Sequence, residues 1–93
     1  MRTIFKTQLK VCDQQTVQLP RGFKILDIDR QGGMPCIWYE CDSEAEKVDV
    51  DIYCVGTGQN IDGISSMMYI GTVHDRSGGF VWHYYLKPTT DML

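Results

Sequence analysis

Apolar and polar positions alternate with a period of two along most of the chain. That is the pattern of strands whose successive side chains point to opposite faces. The run RTIFKTQLKV predicts a first strand over residues 2–11, which CDQQ interrupts. TVQLP adds a short extended piece ending at Pro20, and PRG reads as a turn, since Pro pre-sets φ and Gly permits a positive φ. FKILDIDRQ predicts a strand over residues 23–31 closed by GGMP, and CIWYECD another over 36–42. KVDVDIYCV predicts a strand over residues 47–55, with Val48, Val50, Ile52 and Cys54 on one face and Lys47, Asp49 and Asp51 on the other. After the loop GTGQNIDGISS, MMYIGTVH and GFVWHYYLK form a last hairpin around DRSGG, and a polar tail expected to be loose begins at about Pro88.

No window carries a sustained helical stripe, and the best helix candidate is one turn inside residues 60–66. The expectation is a single all-β domain over residues 1–93. It is a compact antiparallel sheet, sandwich or barrel of six to seven strands, with at most one short helical turn.

Two of these strands are apolar or aromatic on both faces. In FVWHYYL, Phe80, Trp82, Tyr84 and Leu86 share one face and Val81, His83 and Tyr85 the other; in CIWYEC, Cys36 and Trp38 oppose Ile37, Tyr39 and Cys41. A half-exposed antiparallel strand is polar on one side. A second layer, another subunit or a ligand must therefore cover the additional face. A chain of 93 residues offers little material for a second layer, so a homo-oligomer, dimer or tetramer, is expected.

The net charge of −3 argues against a partner of long nucleic acid, which calls for a basic footprint. A small ligand with one or two phosphates needs only a few N–H groups and cations. The N-terminal MRTIFKTQLKVCDQQ has no apolar signal core, and no apolar run approaches the ~18–20 residues of a membrane span. Cys12, Cys36, Cys41 and Cys54 include no C-x-x-C pair and are expected to be buried, reduced thiols.

Gly-Thr-Gly at residues 56–58 follows a strand, but no Lys-Ser/Thr follows it, and Gly63 misses the spacing of a dinucleotide fingerprint. The loop reads as a strand exit that needs a positive φ, with Thr57 and Gln59 as polar tips and backbone N–H groups as donors. Asp27 with Asp29, and Asp49 with Asp51, are paired carboxylates, yet each pair is what a solvated strand face looks like. His74 and His83 lie on the closing hairpin without a partner set for metal or nucleophilic chemistry. No catalytic residue, metal site or cofactor is expected, and an enzyme such as a phosphodiesterase is the least favoured reading.

The ordered landmarks TIFKTQL, LPRGFKIL, CIWYE, VGTG, YIGTV and FVWHYY span Thr3 to Tyr85. In this order the chain resembles a family of small standalone bacteriophage proteins that form a domain of unknown function. The resemblance implies a phage gene product in the host bacterial cytoplasm and supplies no activity. By analogy with phage anti-defence sponges, it points to an oligomer that sequesters a cyclic nucleotide immune signal, such as a cyclic dinucleotide, without cleaving it. Trp38, Tyr39 and Trp82 are then the expected stacking groups or pocket walls. Thr57, Gly58 and Gln59 are the loop contacts, Thr72 and His83 the pocket polar groups, and Arg21 and Arg76 the phosphate partners. The alternative is a protein-interaction module, either a virion or assembly component or an inhibitor that docks on a host protein.

Overall fold

A computed structural model describes residues 1–76 and 78–89. Among them are seven strands: β1 (Arg2–Gln8), β2 (Gln14–Pro20), β3 (Lys24–Gln31), β4 (Met34–Asp42), β5 (Lys47–Gly56), β6 (Met68–Asp75) and β7 (Phe80–Leu86). They form two antiparallel sheets, one of three strands in the order β1-β4-β3 and one of four in the order β2-β5-β7-β6. The fold is all-β, as the period of two requires. The expected tail from Pro88 falls mostly outside the described residues, as does Ser77 in the last hairpin turn.

Local chemistry explains the strand limits. Gly32 and Gly33 take φ of 62° and 84°, conformations that only Gly enters cheaply, so β3 and β4 join through a two-residue turn and β4 begins at Met34. The first strand stops at Gln8, where the chain turns toward the second sheet. The Gln15 side-chain amide holds that corner: it accepts from Lys10 N at 3.0 Å and donates to Lys10 O at 2.8 Å. The expected helical turn exists as a single turn, with Ser65 N donating to Ile61 O at 2.8 Å.

The inner faces of the two sheets make the core. Leu9, Ile28, Ile37, Tyr39 and Cys41 come from the first, and Leu19, Val48, Val50, Ile52, Cys54, Val73, Tyr84 and Leu86 from the second. The chain thus supplies its own second layer, for which its 93 residues were expected to offer little material. That layer covers one face of β4 and β7. On the outer faces Trp38, His83 and Tyr85 remain half-buried, and Cys36 is buried at 2%.

The two sheets meet at a seam between the edge strands β3 and β6. Here the backbone at Gly71 comes so close that a Cβ would lie 2.2 Å from Ile28 Cγ2. Each strand is irregular at this place: β3 bulges between Ile25 and Asp27, and β6 between Tyr69 and Gly71. A bulge turns an edge away from further pairing and redirects the residues beyond it. The residues beyond these two are Arg30 on β3 and Thr72, His74 and Arg76 on β6 and its turn. No helix among the described residues is long and apolar enough to cross a membrane.

Candidate functional site

Alternation along β7 sends His83 and Tyr85 to the outer face of the four-stranded sheet, and the register sets their neighbours. His83 lies between Val55 of β5 and Thr72 of β6, and Tyr85 between Tyr53 and Tyr69. Both imidazole nitrogens of His83 are engaged, Nε2 with Thr57 Oγ1 at 2.8 Å and Nδ1 with Thr72 Oγ1 at 2.9 Å. A neutral imidazole donates once and accepts once, so one threonine donates to the ring and the other accepts from it. The Tyr69 hydroxyl extends the chain to Thr72 Oγ1, and its ring meets that of Tyr85 edge-on at 5.4 Å. The result is a polar line, Thr57–His83–Thr72–Tyr69, beside an aromatic pair.

Thr72 also lines a cleft of about 320 Å³ at the seam, together with Asp29, Arg30, His74 and Arg76. Arg30 Nη1 donates to His74 O at 3.4 Å and so bridges the two sheets. The Asp29 carboxylate accepts from Arg30 N at 2.7 Å, which directs one acidic oxygen at the backbone. On the other side of Arg30 a small hollow of about 30 Å³ is lined by Trp82, Val73 and Pro35 among others. Trp82 stacks on Phe80 with centroids 5.6 Å apart and planes 20° from parallel, and Phe80 is 56% exposed. Two guanidinium groups and an imidazole therefore converge on one cleft, in a protein whose net charge is −3, while the Phe80–Trp82 stack lies on the opposite, inner face of β7. Guanidinium forks match phosphate oxygens, and an exposed ring offers a π-face to a base.

Of the expected contact residues, Thr57, Thr72 and His83 gather on the outer face of β7, β6 and the adjoining loop, and Arg76 lines the seam cleft with Thr72, whereas Trp82 is on the inner face of β7, packed against the core. The others do not join them. Tyr39 is 4% exposed and belongs to the core, with its hydroxyl 2.9 Å from Thr7 Oγ1. Trp38 sits on the outer face of the three-stranded sheet, between Lys6 and Asp27 in register. Arg21 is paired with Glu46, Nη2 to Oε1 at 2.7 Å, in the turn before β3, whereas Arg30 is near the far end of that strand. Arg30, His74 and Tyr69 are additions from the structure. Their signal in the sequence was weak, because nothing in it says that the edges of β3 and β6 adjoin.

The Gly-Thr-Gly loop turns a corner. Thr57 N donates to Val81 O at 3.3 Å, which adds a rung to the β5–β7 pairing, and Gly58 takes φ of 92°. Gln59 is spent inside the loop: its N–H donates to Gly56 O at 3.1 Å and its Oε1 accepts from Gly56 N at 2.6 Å. The N–H groups of residues 56, 57 and 59 are thus occupied. The expectation of a donor edge for ligand gives way to a closed turn that carries Thr57 to His83.

Four other groups are held by burial or by hydrogen bonds. Burial pushes the Cys54 thiol and the Tyr84 phenol up, and Tyr84 donates to Lys10 O at 3.2 Å across the sandwich. The hydrogen bond from Arg2 lowers Glu40, and the backbone N–H of Glu44 lowers Asp42. All four cysteines are free thiols, with only Cys12 outside the buried class. Among the described residues, no three His, Cys, Asp or Glu stand together to hold a metal ion.

Comparison with curated proteins and with solved structures gave no match. A family model matches residues 1–92, and the chain therefore belongs to the family described as a domain of unknown function, DUF7352.

Proposed function

We propose that the protein binds a small phosphate-bearing nucleotide and holds it without chemistry. Following the phage resemblance, that ligand is a cyclic nucleotide immune signal, and binding withdraws it from host defence. The seam cleft carries this reading, since it places Arg30, Arg76 and His74 around about 320 Å³. That volume is at the small end of ligand pockets, which run from about 300 Å³. It suits one nucleotide unit, with phosphate on the guanidinium groups and base against the Tyr69–Tyr85 pair beside Thr72. The carboxylate beside the cleft, Asp29, is held by backbone and favours a donor-bearing ligand edge over bulk polyanion.

Calorimetry and native mass spectrometry with cyclic dinucleotides and trinucleotides test it. The expected result is stoichiometric uptake of ligand recovered intact. Arg76→Ala and Arg30→Ala each weaken binding by about 10–100-fold, the worth of a charge-assisted hydrogen bond. Arg21→Ala, in a turn engaged with Glu46, leaves affinity unchanged. Absence of binding well above micromolar concentration, or equal binding by all three variants, overturns the reading. The alternative of a protein-interaction module has its own observation in the apolar side chains along β1, Ile4 at 57% and Phe5 at 41% exposed.

A further inference from the structure

Four strands lie at sheet edges, and three of them are protected. β3 and β6 cover one another at the seam, and each carries a bulge. β2 ends in Pro20, which has no N–H, the side chains of Gln14, Thr16 and Gln18 are tied to Asp51 and Asp49 of β5, and none of its residues is an exposed large apolar one. Pro, charged side chains, bulges and covering elements are the usual means of keeping an edge from pairing. β1 has no Pro, bulge or cover, and its charged side chains are Arg2 and Lys6. It is an unbroken seven-residue strand with continuous register against β4, and Ile4 and Phe5 are its exposed apolar residues.

The hydrogen-bond phase of this edge follows from its ends. Leu9 N donates to Pro35 O at 2.8 Å, and Met1 O accepts from Ser43 N at 2.9 Å. The odd-numbered residues of β1 therefore bond to β4. By the antiparallel alternation, Arg2, Ile4, Lys6 and Gln8 turn their N–H and C=O groups outward. Lys10 obeys the same phase, since its N–H and C=O face away from β4 and are met by the Gln15 side chain.

We propose that β1 pairs antiparallel with β1 of a second copy of this chain about a two-fold axis at Phe5, which joins the two three-stranded sheets into one of six. The occupant and the register both follow from the residues. An isologous pair needs same-face residues opposite each other, which leaves three central registers. An axis at Ile4 opposes Arg2 to the partner's Lys6. An axis at Lys6 opposes that lysine to the partner's Lys6. Only the axis at Phe5 avoids like charges, with Arg2 opposite the partner's Gln8, Ile4 opposite the partner's Lys6, and Thr3 opposite the partner's Thr7. In that register the outward groups of Arg2, Ile4, Lys6 and Gln8 all meet outward groups of the second copy. Phe5 meets the partner's Phe5 in a non-hydrogen-bonded position, where side chains are closest. Each Phe5 ring already stands edge-on to Tyr39 at 6.4 Å, so the pair continues the core across the axis. A hollow of about 470 Å³ lined by Arg2, Thr3, Ile4 and Glu40 receives the end of the incoming strand. The interface is on the side of the molecule away from the seam cleft and stands whether or not that cleft binds a nucleotide.

Light scattering and sedimentation of the purified protein, without added nucleotide, should give twice the 10.7 kDa of one chain. Ile4→Lys places lysine opposite lysine at two symmetric positions and should raise the dimer dissociation constant about tenfold. Ile4→Glu creates two opposite-charge pairs and should lower it, most at low salt. Both changes are at an exposed position and leave the fold intact by circular dichroism. In a Cys12→Ser background, Phe5→Cys should form an intermolecular disulfide on mild oxidation. Its Cα atoms would be about 4.5 Å apart, within the span a disulfide accepts. Ile4→Cys, offset by two residues from its symmetry mate, should not. A monomer at tens of micromolar overturns the proposal, as does a dimer that tolerates Ile4→Lys or cross-links through Cys at position 4 rather than 5.

Discussion

Gly71→Ala puts the seam to the test. The added Cβ would be 2.2 Å from Ile28 Cγ2, well inside any tolerated contact, and the neighbour is a branched side chain of the core. Either β6 moves off β3 or Ile28 leaves its rotamer. Overpacking of this kind costs about 1–3 kcal/mol. A domain of this length has roughly 5–14 kcal/mol of stability in total. With a urea slope of about 1 kcal/mol per M, the unfolding midpoint should fall by about 1–3 M. Ile28→Ala alone removes buried methyl groups and should cost about 2–5 kcal/mol. In the double variant the methyl at 71 enters the space Ile28 vacates, so the two losses should not add, and the shortfall should be about 1–2 kcal/mol. Equilibrium urea unfolding followed by circular dichroism, on the four proteins of the cycle, measures it. A Gly71→Ala midpoint within error of the parent, or strict additivity with Ile28→Ala, refutes the close approach and with it the geometry that brings Arg30 to His74.

Other outcomes follow from the loop and the core. Gln59→Ala removes the acceptor for Gly56 N–H and should cost about 1 kcal/mol, which Gln59→Glu should largely restore; a loss of only a few tenths in the same urea assay would contradict the closed turn. Thiol titration of the native protein should modify Cys12 first, because Cys36, Cys41 and Cys54 are exposed by 5% or less. Simultaneous reaction of all four without denaturant would show that the sandwich is open. Burial raises the Cys54 thiol above 9.0 and the Tyr84 phenol above 10.0, so the folded state favours the neutral forms. That stability is complete below the ordinary values and is lost as pH rises through the raised ones, so the urea midpoint should decline above about pH 9. A midpoint that stays level to about pH 11 would be inconsistent with those burials.

The all-β class and all seven strand positions, β2 as the short extended piece TVQLP, were legible because each strand obeys a local rule. Val48, Val50 and Ile52 alternate with Lys47, Asp49 and Asp51, and that alternation by itself decides which face of β5 is buried. The end of β3 was visible in Gly32 and Gly33, whereas the two-residue turn straight into β4 was not, and β4 starts at Met34 instead of the expected Cys36. Less was visible where two distant pieces had to meet. Which face of FVWHYYL is buried depended on where the first sheet packs: the sandwich covers Tyr84 and Leu86 and leaves His83 and Tyr85 half-buried on the outer face. His83 reads alone as an unremarkable strand histidine; only the order β2-β5-β7-β6 puts Thr57 and Thr72 on its two nitrogens. Arg21 and Arg76 looked equivalent as turn arginines, yet pairing with Glu46 engages the first, while the seam gives the second a cleft. Sequence carries the period of a strand because side-chain alternation is a property of the local backbone. Strand order, edge exposure and the seam are properties of long-range packing, and they determine that Arg30, Arg76 and His74 come to share one cleft.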